Sequence, residues 1–173
     1  MPLPPLHITA MAWLHFRSPR KIDLAALVLA TNVPDLEPLI AIILNFEESH
    51  TVWHSYLAAV VLSIPLAVIV WLLERYSKGL VQWGYSLLRL EMPNEYRFDV
   101  ILATCLVGWA SHVSFDMWTH ETFRYVLYPL VQDVNPFWLG SLFANFVEFI
   151  VLVLSLYSVL LWVRRIQERK SRG

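Results

Sequence analysis

The sequence predicts an all-α integral membrane protein: a single transmembrane helical domain, residues 1–173, built as a bundle of about four membrane-spanning helices. Composition is the first observation behind this prediction, since 57% of the residues are hydrophobic and only 16% are charged. Soluble domains carry about a quarter charged residues. The second observation is that long apolar stretches recur along the chain. The formal net charge of −1 gives no sign of a nucleic-acid partner.

The first predicted span, residues 24–46, is a broken helix. It is long enough to cross the ~30 Å hydrocarbon layer at about 1.5 Å per residue. However, Pro34, Asp35 and Glu37 interrupt it. Polar side chains and irregular backbone occur at this depth only where protein or a water-filled cavity covers them. We therefore expect other parts of the chain to pack over the break at Pro34-Asp35.

Three further spans follow. Residues 55–73 contain no charge, and residues 100–118 and 137–163 form the other two, with Glu148 the only charged residue in the last. Between the second and third spans, residues 78–92 alternate apolar and polar side chains, which is typical of an amphipathic helix at the membrane interface. The single cysteine, Cys105, excludes an intrachain disulfide and a thiolate metal site.

Basic residues predict the orientation. With a cytoplasmic N-terminus, twelve of the thirteen Lys and Arg residues lie on the cytoplasmic side, and only Arg124 lies outside. We therefore expect both termini to be cytoplasmic, in a prokaryotic cytoplasmic membrane, with the lipid bilayer as the main partner. The sequence carries no signal for the oligomeric state.

The same topology gathers histidines and carboxylates near the outer side. His50 and His54 are four residues apart, and His112, Asp116 and His120 continue at the same spacing. On a helix, side chains four residues apart lie on one face about 6 Å from each other, so neighbours can bind one ion. Imidazole with carboxylate suits zinc, manganese or iron better than calcium or magnesium. Zinc is the first choice, with one or two ions.

Each of these residues also has a simpler interpretation. His50 and His54 fit a polar cap at the membrane interface. The carboxylates of Asp35 and Glu37 fit a broken-helix cap that accepts hydrogen bonds from exposed backbone amides. Glu148 fits an interhelical hydrogen bond.

Four short motifs follow one another along the chain: Pro5-Leu6-His7, Val33-Pro34-Asp35-Leu36-Glu37, His54-Ser55, and SHVSFDMWTH from Ser111 to His120. This order resembles a family of small bacterial and archaeal membrane proteins described as membrane-bound metal-dependent hydrolases. The family pattern is PxH, PD with a following acidic residue, HS, and SHxxxDxxTH. The resemblance implies a shared polar set, which is His7, Asp35, His54, His112 and Asp116. Thr51 departs from the pattern, because some relatives carry arginine there.

His7 precedes Arg17, Arg20 and Lys21, which the topology places inside, away from the other ligands. Either residues 8–16 form a re-entrant helix that carries His7 to mid-membrane near Asp35, or the first segment packs in another way.

The functional hypothesis is a metal-dependent hydrolase that cleaves an ester or phosphoester, including a lipid, at the membrane surface. Glu37 is its candidate general base. The candidate metal ligands are His7, Asp35, His50, His54, His112, Asp116 and His120. The alternative is a non-catalytic scaffold or accessory protein with a structural metal or a buried polar site. A closed four-ligand site favours the scaffold, and an open coordination position favours the hydrolase.

Overall fold

The computed structural model describes residues 4–46, 51–92, 96–131 and 134–171, and these residues form helices and loops with no strand. The helices are α1 (Pro4–Arg17), α2 (Leu24–Asn32), α3 (Leu36–Leu44), α4 (Tyr56–Tyr76), α5 (Lys78–Leu87), α6 (Phe98–Thr119) and α7 (Ser141–Lys170), and a 3-10 turn covers Val52–His54. The predicted all-α class is confirmed.

Among the described residues, four segments are long and apolar enough to cross a membrane: Leu24–Leu44, which contains α2 and α3, and the helices α4, α6 and α7. The first three match the predicted spans closely. The last span begins at Ser141 instead of residue 137, after Gly140, whose φ of 95° few other residues adopt. Helix α7 then continues past the predicted end to Lys170. Its 30 residues reach ~45 Å, so its basic end extends beyond the hydrocarbon layer.

The predicted break in the first span is present. Helix α2 ends at Asn32, whose side-chain amide turns back to donate to Val28 O at 2.6 Å. Pro34 has no N–H to continue the helical hydrogen bonds, and α3 begins two residues later. Within α3 only Ala41 is buried, so most of this short apolar helix faces outward.

The amphipathic segment forms α5, which is shorter than predicted. Tyr85 is its buried side chain, while Leu80, Trp83 and Leu87 are exposed. The helix ends at Leu87, and Arg89 follows in the left-handed region with φ 55°. Such a residue cannot continue a right-handed helix, which explains the shorter length.

Helix α1 packs against α7. Thr9 Oγ1 donates to Ser155 Oγ at 2.9 Å, and the Arg165 guanidinium donates to Phe16 O at 2.8 Å. Residue numbers rise together along both helices, so α1 runs parallel to α7. It begins beside the middle of α7 and ends near the basic residues.

Helices α2 and α6 cross at very short range. A Cβ atom on Gly108 would lie 2.8 Å from Ala30 Cβ, closer than real Cβ contacts allow. Glycine therefore sits where the two backbones meet. One turn further along α6, His112 Nδ1 lies 3.0 Å from Thr31 O. This crossing places the break after α2 beside the polar part of α6.

Candidate metal centre

Helix α6 supplies the central pair of the site. His112 and Asp116 are four residues apart and therefore share a helix face, with His112 Nε2 3.1 Å from Asp116 Oδ2. Both side chains are buried, with exposed fractions of 0% and 3% for the two residues. A carboxylate is costly to bury without a charged or hydrogen-bonding partner. The buried carboxylate of Asp116 therefore needs a positively charged or hydrogen-bonding partner.

Two other segments complete the cluster. His54 lies just before α4, where Ser55 Oγ caps the helix by accepting from Ala58 N at 3.0 Å. His54 Nε2 is 3.7 Å from Asp116 Oδ2, and Asp35, at the break, has Oδ1 3.6 Å from His112 Nε2. One atom from each of Asp35, His54, His112 and Asp116 lies within 4.8 Å of the others.

The spacing of these atoms matches ligands of one ion. Metal–ligand bonds of ~2.0–2.1 Å at a tetrahedral angle separate two ligand atoms by ~3.3 Å. Three of the four nitrogen–oxygen distances among these residues are 3.1, 3.6 and 3.7 Å, and all four ligand atoms lie within 4.8 Å of one another. The two longer ones exceed the usual hydrogen-bond range, so direct hydrogen bonding explains the cluster less well than a shared cation does.

Hydrogen bonds orient both histidines. His112 Nδ1 donates to Thr31 O at 3.0 Å, and His54 Nδ1 donates to Glu37 Oε2 at 2.8 Å. A proton held on Nδ1 leaves the Nε2 lone pair of each ring facing the cluster, as in known metal sites. In the described part of the chain, His112 Nε2 and Asp35 Oδ2 are buried without a hydrogen bond. Buried polar atoms are rarely left without a partner, so these two atoms favour a cation as their common partner.

His7 also reaches the cluster. It lies on α1 with 2% of its surface exposed, and its Nε2 is 3.5 Å from Asp116 Oδ1. Its ring centre is 4.5 Å from that of His112. Helix α1 thus brings His7 to Asp116, while the re-entrant position of α1 in the membrane stays a prediction.

His120 lies at the edge of the cluster. Its Nδ1 is 3.8 Å from Asp116 Oδ1 but closer to Thr119 Oγ1, at 3.0 Å. The remaining histidine predicted as a ligand, His50, lies outside the described residues, and its role stays a prediction.

Glu37 sits behind His54, outside the group of four ligand atoms. Its carboxylate accepts from His54 Nδ1, from Thr51 N at 2.9 Å and from the Thr51 hydroxyl. Thr51 thus holds Glu37 in place. These contacts favour a role in positioning His54, while the predicted role as a general base stays a prediction.

Three groups that support the site carry no clear signal in the sequence. Thr31 orients His112 through a main-chain carbonyl, which no residue pattern reveals. Trp109 Nε1 donates to Trp53 O at 2.9 Å and ties the loop before α4 to α6. Asn135 donates to Met117 O at 2.7 Å, bracing the end of α6. An asparagine in a loop is a weak signal, because it is common in turns.

A bundle of membrane-length helices around buried histidines and carboxylates defines the class: an integral membrane protein with a candidate metal centre. The chain belongs to the DUF4184 family, a domain of unknown function, whose family model matches residues 1–172. A search of the curated proteins found no match, and neither did a search of the solved structures.

Proposed function

We propose that this protein is a membrane-embedded, metal-dependent hydrolase that cleaves an ester or phosphoester carried by a lipid. The observation that carries the proposal is the convergence of Asp35, His54, His112 and Asp116 within 4.8 Å. A mixed nitrogen and oxygen donor set of this kind suits zinc first, then manganese or iron. Such a metal supplies Lewis-acid activation of a water molecule.

The residues divide into two roles. His54, His112 and Asp116 hold the ion, because they are almost fully buried. Asp35 is different, since its side chain is 23% exposed and its Oδ2 makes no hydrogen bond within the described ranges. Three protein ligands with one exchangeable position are typical of catalytic zinc sites. Asp35 therefore marks the side where substrate and water approach.

Helix α3 supports a lipid as the substrate. It follows Asp35 directly, and its side chains Leu39, Ile42, Ile43 and Leu44 are between 52% and 74% exposed. In a bilayer, acyl chains cover such a surface. An ester group at the membrane surface can thus approach Asp35 while its acyl chains lie along α3.

The test compares bound metal with turnover. The full chain is purified in detergent, its metal content is measured by elemental analysis, and hydrolysis is assayed on phospholipids and on simple carboxylic and phosphate esters. Asp116→Asn keeps the side-chain shape and removes the charge. Its control is Asp99→Asn on the same helix, where the carboxylate is 64% exposed.

We expect about one metal equivalent or more in the wild type and in Asp99→Asn, with turnover that a chelator abolishes. Asp116→Asn should lose most of both. Full metal occupancy without turnover on any ester would overturn the hydrolase and leave a scaffold with a structural metal. Equal metal content in Asp116→Asn and the wild type would overturn the metal centre.

A further inference from the structure

A second buried polar cluster lies at the other end of the bundle, where α2 begins and α4 ends. Asp23 directly precedes α2, Glu74 is in the last turn of α4, and Tyr85 comes from α5. Their exposed fractions are 0%, 3% and 4%. None of these residues belongs to the candidate metal centre.

Asp23 uses only part of its hydrogen-bonding capacity as a helix cap. Its Oδ1 accepts from Ala25 N at 2.9 Å, and its main-chain N donates to Thr104 Oγ1 at 3.3 Å. Its Oδ2 is buried without a hydrogen bond in the ranges that the structure describes. A cap needs one carboxylate oxygen, so the second oxygen is available for another partner.

That partner is a second carboxyl group. Glu74 lies close enough to Asp23 for a hydrogen bond between the two side chains. Tyr85 lies within electrostatic range of Asp23 and next to Tyr96. Two ionised carboxylates in contact repel each other, and burial makes each charge costly. Burial accordingly raises the pKa of Asp23 to about 6, and it raises the pKa of Tyr85 as well.

The other ionisable groups around Asp23 and Glu74 do not remove the repulsion between the two carboxylates. His15 of α1 has its ring centre 6.1 Å from Tyr85, and burial lowers its pKa, so it adds no charge at pH 7. Tyr96, before α6, donates its hydroxyl to Ile22 O at 3.1 Å. Cys105 on α6 lies within electrostatic range of Asp23, and Lys78 begins α5 four residues after Glu74 in the sequence. A lysine can compensate one ionised carboxylate and not two.

We propose that Asp23 and Glu74 form a proton-binding site, in which one shared proton joins the start of α2 to the end of α4. Loss of the proton leaves two adjacent carboxylates, whose repulsion separates the two helix ends. The proton therefore makes helix packing at this end of the bundle sensitive to pH, independently of any metal. Because the folded state favours the protonated pair, its stabilising effect is present near pH 4 and disappears as the pH rises through about 6.

Neutral variants of the same shape test the proposal. Asp23→Asn retains the helix cap, and Glu74→Gln is the matched change in the partner. Asp99→Asn, an exposed carboxylate at the same end of α6, is the control. The full chain in detergent is melted between about pH 4 and about pH 7, with tryptophan fluorescence as the readout. Infrared spectroscopy at about pH 5 detects the C=O stretch of a protonated carboxyl group.

The Tm of Asp23→Asn minus the Tm of the wild type should increase by several degrees as the pH increases over this range. Glu74→Gln should behave similarly, and Asp99→Asn should follow the wild type. The infrared band should be lost in both site variants. Variants that track the wild type at every pH, with an unchanged band, would overturn the proposal. A wild-type Tm at pH 7 that sodium or magnesium salts raise, with no rise in Asp23→Asn, would also overturn it, because the pair would then bind a metal cation.

Discussion

Gly108→Ala tests whether the crossing of α2 and α6 controls the metal centre. The added methyl group meets Ala30 Cβ at 2.8 Å and Leu27 O at 3.4 Å. Ordinary contact at this position begins at 3.4 Å, so α2 and α6 must separate by several tenths of an ångström. Both helices are buried on these faces, and neither Ala30 nor the backbone can turn aside as a flexible side chain would.

Two opposing effects determine how far Gly108→Ala lowers the free energy of unfolding. Overpacking a well-filled core costs about 1–3 kcal/mol. Replacing glycine by alanine inside a helix stabilises the helix by about 1 kcal/mol. The net destabilisation is therefore up to ~2 kcal/mol, which lowers the Tm of a chain of this size by several degrees.

The same displacement affects the site. Ala30 precedes Thr31, and Gly108 lies one turn before His112, so separating the helices stretches the 3.0 Å bond from His112 Nδ1 to Thr31 O. Loss of a hydrogen bond that orients a metal-binding histidine typically weakens metal affinity about 10- to 100-fold. We expect a decrease of this size in a titration against a competing chelator.

Two further variants serve as controls. Gly84→Ala, on α5, places its methyl group where no atom lies within 4 Å, so it should leave stability equal or slightly higher. Ala30→Gly combined with Gly108→Ala removes the clash, and the double variant should regain metal affinity. If Gly108→Ala melts and binds metal like the wild type, the close crossing of α2 and α6 is refuted.

Two other predictions concern Glu37 and the topology. Glu37→Gln should weaken metal affinity about 10- to 100-fold if Glu37 positions His54. A loss of about 10²- to 10⁴-fold in turnover at full metal occupancy would instead support the general base. For the topology, a reporter fused after Gly173 should be active in the cytoplasm. Activity confined to the outside would contradict the predicted orientation.

Much of the helical fold was predictable because it depends on local composition. A span needs a run of about 20 apolar residues, and such runs stand out in any sequence. The break after Asn32 follows from Pro34, which removes a backbone donor wherever it occurs. The start of α7 was less predictable, since residues 137–140 are as apolar as a helix but form a loop that ends at Gly140.

Half of the metal centre was predictable for a similar reason. His112 and Asp116 share a face because the helical period places every fourth residue on one side, whatever the rest of the chain does. The involvement of Asp35 and His54 rested on topology and on motif order, which suggest proximity but give no distances. The distances of 3.6 and 3.7 Å come from the packing of α2 and α4 against α6.

The sequence by itself determined the membrane-length helices, the break at Pro34 and the shared face of His112 and Asp116. The tertiary structure alone decided how His7 reaches Asp116, how Glu37 contacts His54, and that Asp23 meets Glu74. These contacts join residues far apart in the chain, and they depend on the direction and depth at which whole helices pack. That packing depends on side-chain shape, for example the absence of a side chain at Gly108. Residue spacing along one helix does not predict it.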